Sequence, residues 1–91
     1  MLRLSANVRS THQRDGAILL DVLQGQMFQV NPVGSRIIEI LTLGTTELAI
    51  VDAISREFGI VPGIVTKDVR NFIEALETHR LVERCDTSLI E

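Results

Sequence analysis

The chain has 91 residues and a mass of 10.1 kDa, room for one hydrophobic core and not two. Apolar residues make up 45% of it but aromatic ones only 3%, with no Trp or Tyr, so the core is aliphatic and the usual Tyr and Trp anchors of a binding surface are missing. Twelve acidic residues against nine basic ones give a net charge of −3, which argues against a partner held mainly through its phosphates.

The first third reads as strands. Leu2, Leu4, Ala6 and Val8 alternate with Arg3, Ser5, Asn7 and Arg9, the period of a half-buried strand. Asp15-Gly16 marks a turn, and Ala17–Asp21 is a short apolar run that fits a second strand. Gln24-Gly25 gives the next reversal, with Gly25 available for positive φ. Gln26–Val30 is the third strand, with Phe28 and Val30 on one face and Met27 and Gln29 on the other.

Helices follow. Asn31-Pro32 supplies an N-cap and a first-turn proline; Val33, Ile37, Ile40 and Leu41 keep helical spacing, and Gly44 stops the run. Thr45-Thr46-Glu47 opens a second helix whose predicted apolar stripe is Leu48, Val51, Ile54 and Phe58, ended by Gly59. Pro62 or Thr66 opens a third, with Val65, Val69, Phe72, Ile73 and Leu76 on one side, and Leu81-Val82 closes the fold. The expected fold class is α+β: a three-stranded antiparallel sheet followed by three helices packed on one of its faces, winged-helix-like. Residues 1–84 form the expected domain and 85–91 a frayed tail.

The polar residues favour no chemistry. Cys85 is the one cysteine, which excludes an internal disulfide, and it lies past the last helix, so His79 and Asp86 nearby do not make it a nucleophile. His12, His79 and Cys85 have no metal-ligand spacing, and both histidines read as solvated. Gly34 follows a strand-to-helix junction without a phosphate-loop motif and reads as close helix-to-sheet packing. No catalytic residue, metal or cofactor is expected. There is no signal-peptide core and no run near the roughly 18 apolar residues of a membrane span, so a cytoplasmic protein is expected.

Two binding surfaces remain. The second and third helices suit a helix-turn-helix, but from Pro62 to His79 acids outnumber bases by one, whereas a recognition helix is normally basic. In a three-stranded meander the first and third strands are edges, and Gln26–Val30 has neither Pro nor charge to blunt it. Either another segment covers that edge, or a peptide adds to it as a further strand.

The order of these signals resembles the PqqD-like proteins. Asp15–Val22 (DGAILLDV), Gly25, and Met27–Gly34 (MFQVNPVG) are similar to that family's "dGavLLD…G.yf.lNptG" stretch. Ile37-Ile38, Leu41 and Gly44-Thr45 resemble "iL..L..G.t", and Glu57-Phe58-Gly59 resembles the "yg" that ends the second helix. Lys67–Leu76 and Leu81-Val82 resemble "Dv..fl..L…gLv". The likeness runs from about residue 4 to residue 83, and it is nearest to the stand-alone leader-binding proteins of lasso-peptide biosynthesis. It departs at Met27-Phe28, where those relatives often carry Tyr or Trp, and at His79-Arg80, where a small residue and Gly commonly stand.

The resemblance implies a non-catalytic module that binds the leader of a ribosomally made precursor peptide. The leader would pair with Gln26, Met27, Phe28, Gln29 and Val30 and lie against Lys67, Asp68, Asn71 and Ala75 of the third helix. Val69, Phe72 and Leu76 read as core rather than contact. The implied partners are the precursor, a leader peptidase and a macrocyclising enzyme, and the uncharged edge also allows a homodimer. The alternatives are a winged-helix DNA-binding protein and a simple dimerisation module.

Overall fold

The structure, a computed structural model, describes residues 1–84; Cys85 and the expected frayed tail lie outside them. Its order is β1 (Leu2–Leu4), β2 (Val8–Gln13), β3 (Gly16–Asp21), β4 (Gln26–Val30), α1 (Pro32–Thr42), α2 (Glu47–Phe58), α3 (Pro62–Thr78) and β5 (Val82–Arg84). Strands β2, β3 and β4 form the expected antiparallel meander, in that order.

The first predicted strand is in fact two. The Val8 N–H donates to the Ser5 carbonyl (3.1 Å) and the Asn7 N–H to Ser5 Oγ (3.4 Å), so the chain turns at residues 5–7 in spite of its alternating pattern. The piece before that turn leaves the meander and pairs with β5, Leu2 opposite Arg84 and Leu4 opposite Val82. The Leu2 N–H also donates to the Thr45 carbonyl at 2.5 Å, so β1 is fastened on both edges.

The meander's turns follow from local chemistry. Gln13 and Gly16 face each other across Arg14-Asp15, and Gly16 holds φ +139 where a Cβ would lie 2.0 Å from the Val30 carbonyl oxygen. At the second reversal the buried Asp21 carboxylate accepts the Leu23 and Gln24 N–H groups (3.0 and 3.1 Å), and Gly25 takes φ +69.

The helix boundaries match their signals. Asn31 Oδ1 accepts the Gly34 N–H at 2.7 Å ahead of Pro32, and Thr46 Oγ1 accepts the Ala49 N–H at 3.1 Å. Gly59, at φ +65, ends α2, and α3 begins at Pro62 rather than Thr66. The stripe of α2 needs correction. Ile50, Val51 and Ile54 are buried, while Leu48 is 81% exposed and Phe58 is also exposed.

Helices cover the inner sheet face around an aliphatic core of Leu2, Leu19, Ile38, Leu41, Ile50, Ile54, Ile73 and Leu81. Arg36 joins α1 to the last turn of α2 by two bonds to Glu57, at 2.7 and 3.0 Å. These bonds hold the Glu57 carboxyl below its ordinary value and raise that of the Arg36 guanidinium. Gly34 does allow close packing: a Cβ there would lie 3.1 Å from Val30 Cβ and 3.2 Å from Phe72 Cζ. No helix among the described residues is long and apolar enough to cross a membrane.

Candidate functional site

Hydrogen-bond parity decides which backbone groups of β4 are free. The Val22 N–H donates to the Asn7 carbonyl, so even-numbered residues of β3 bond towards β2 and odd-numbered ones towards β4. In the β3–β4 register Ala17, Leu19 and Asp21 therefore engage Val30, Phe28 and Gln26. Met27 and Gln29 point their N–H and C=O groups away from the sheet, and among the described residues no other strand pairs with that edge. Strand β1 does not cover it, being held by β5 and Thr45.

The side chains alternate against the backbone. Phe28 and Val30 face inwards, half-buried, while Met27 and Gln29 stand on the outer sheet face, where Met27 is 66% exposed opposite Leu20. An incoming strand would thus meet the free backbone of Met27 and Gln29 and lay its inner side chains against Phe28 and Val30.

Beside the edge lies an apolar groove in two parts. One depression, of about 210 Å³, is bordered by Phe28, Gln29, Val30, Phe72, Ala75 and His79, with Leu19, Leu76 and Leu81 beneath. The other, of about 260 Å³, lies among α1, α2 and α3; Val33, Ile37, Ile60 and Val69 line it, with Asp68 at its border. Phe72, which sequence reasoning placed in the core, belongs to both and divides them.

Among the expected site residues, Phe28, Gln29, Val30 and Ala75 come together on the first depression and Asp68 on the second. Gln26 and Met27 border neither through their side chains, and Met27 offers the edge its backbone. Lys67 and Asn71 are exposed on α3 outside both linings. His79, outside the expected set, also borders the first depression. Its ring lies on Phe28, with centroids 4.9 Å apart and planes tilted by 53°. The signal was present in the sequence, in the departure from a small residue there.

His12 is not simply solvated either. Its Nδ1 is 2.7 Å from Ser35 Oγ and 4.0 Å from Glu39 Oε2. A nucleophile relay needs serine and acid on opposite ring nitrogens. Here both meet the same one, so the contact ties β2 to α1. Among the described residues no three His, Cys, Asp or Glu side chains gather as metal ligands.

Comparison with known proteins shows the family of the chain. The family described as coenzyme PQQ synthesis protein D (PqqD) matches residues 16–82. A solved structure of TbiB1 in complex with the TbiA(beta) leader peptide is 36% identical and superimposes with a TM-score of 0.83, covering 92% of this chain and 99% of that one. A lasso peptide synthetase B1 complexed with its leader peptide shares the fold alone, at 18% identity and a TM-score of 0.78, over 91% and 98% of the two chains. No curated protein matches. With its meander, its helix order and its family motifs all in register, the chain belongs to the PqqD family.

Proposed function

We propose that this chain is a RiPP recognition element, a non-catalytic module that binds the leader segment of a ribosomally made precursor peptide. One observation carries the mechanism: the free Met27 and Gln29 backbone of β4 runs beside an apolar groove against α3, in a relative of a protein solved with a leader peptide. A disordered leader would order there as a fourth strand. Main-chain bonds supply affinity and register, and the groove sorts side chains. The contacts fall to Gln26–Val30, Asp68 and Ala75, with Lys67 and Asn71 at the margin of α3.

The bound precursor would then be delivered to a leader peptidase and a macrocyclising enzyme of a lasso pathway, in the cytoplasm. Tethering raises the substrate's local concentration at those enzymes without any chemistry by this chain. The outer sheet face stays open when a strand occupies the β4 edge, and its exposed Leu20 and Met27 offer an apolar surface for such contacts. The free edge also supports self-pairing of the leader-free protein, which a leader would displace.

Duplex DNA is the weaker alternative. On α3, Arg70 is held by Glu47 at 3.3 Å, and Asp68, Glu74 and Glu77 outnumber the two basic residues, so the helix lacks the basic face of a DNA reader. The test is titration with fluorescently labelled leaders of precursors encoded beside this chain. Saturable binding to one of them is expected, with no salt-steep binding to duplex DNA. Absence of saturable binding to any such leader overturns the proposal.

A further inference from the structure

The groove carries opposite polarity at its two ends, and we propose that it selects a leader strand with an acidic side chain for one end and a basic side chain for the other. This rests on the leader-binding reading above. Asp68 borders the α1–α3 depression, and among the described residues its carboxylate has no hydrogen-bond or ion-pair partner. Its polar neighbour in that lining, Asn31, is already committed through Oδ1 to the Gly34 N–H. At the far end His79 borders the β4 depression; its ring stacks on Phe28, and its nitrogens have no partner among the described residues. An imidazole always offers at least one N–H donor, which a carboxylate accepts.

Between these ends the groove is electrically silent. Strand β4 is uncharged, and the α3 side chains between them on the linings are the apolar Val69, Phe72, Ala75 and Leu76. Of the other charges of α3, Lys67 is exposed outside both linings. Arg70 bonds Glu47, and Glu77 bonds Arg84, on a separate polar cluster that also holds Glu74. A peptide in the groove therefore meets one unpaired acid and one unpaired imidazole.

Their separation sets a spacing. From Asp68 to His79 a helix rises about 16 Å at 1.5 Å per residue. An extended strand covers that distance in about five residues, and only alternate residues face the groove. The two charged side chains should therefore stand four or six positions apart, with apolar side chains at the alternate positions between them.

The experiment selects a displayed library of random twelve-residue peptides on the immobilised full chain. Recovered peptides are expected to carry Asp or Glu at one position and Lys or Arg four or six positions away. Selection on His79→Ala should lose the acid enrichment at least fivefold and keep the base; selection on Asp68→Asn should do the reverse. Both side chains are exposed, so neither change threatens the fold. Bound peptides without the charged pair, with odd spacing, or with enrichments unchanged in the two variants overturn the inference and leave leader binding intact. Recovery of no peptide by the folded protein overturns leader binding itself.

Discussion

Arg80 holds φ +60, the one non-glycine positive φ among the described residues, at the position where the family resemblance calls for glycine. A side chain in the left-handed region costs roughly 1–2 kcal/mol, of which the extra unfolded-state freedom of glycine would return about half. Arg80→Gly should therefore stabilise the chain by about 0.5–1 kcal/mol, a rise of a few degrees in Tm by calorimetry. Arg80→Ala should give no such gain. An equal gain with alanine would place the effect in the side chain and sink the backbone account. Single positions of this kind were legible in the sequence wherever the signal is local, as at Asn31-Pro32 and Gly59. Leu48 was not, because its helix offers apolar residues on two sides. Leu48 lies roughly 120° round from Ile54 at 100° per residue, and only the neighbours of α2 decide which side is buried.

Among the elements, β4 is the one whose sequence and surroundings both leave it available. Its lack of charge was plain in the sequence. Its openness was not, since that depends on whether the N-terminal segment returns to cover it. The turn at residues 5–7 sends β1 elsewhere, and alternation of Leu2, Leu4, Ala6 and Val8 continues straight through that turn without showing it. Proline at Met27 or Gln29 removes an N–H that bonds nothing in the sheet, so Met27→Pro and Gln29→Pro should keep the fold. Each should abolish leader binding in the titration described above. Phe28→Pro removes an N–H bonded to β3 and should instead destabilise the protein. Hydrogen exchange supplies a second reading: leader should slow the Met27 and Gln29 amides selectively. Unchanged exchange at both, with leader bound, would move the site off this edge.

For the molecule as a whole, closure depends on residues at opposite ends of the chain. Leu81 and Val82 are buried, and β5 shields Leu2 by pairing with β1. Burial of each such aliphatic side chain is worth about 1.5–3 kcal/mol, against a total stability of roughly 5–15 kcal/mol. A chain ending after Arg80 should therefore lose cooperative thermal unfolding by circular dichroism, while one ending after Arg84 should keep it. Cooperative unfolding of the shorter chain would show that β5 is dispensable. No periodicity reports a pairing across some eighty residues, which is why the closing Leu81-Val82 was visible as apolar but not as a strand. The composite site is hidden in the same way: β4 and α3 each look ordinary, and the groove exists only where they meet.

The scarcity of aromatic residues has a practical consequence. Two of the three phenylalanines, Phe28 and Phe72, stand on the groove, and neither Trp nor Tyr occurs anywhere in the chain. The aromatic proton region of its nuclear magnetic resonance spectrum is therefore mostly a spectrum of the site. In the near ultraviolet the protein is almost dark, so a tyrosine or tryptophan on a bound peptide would glow alone, an unlabelled reporter of its own capture.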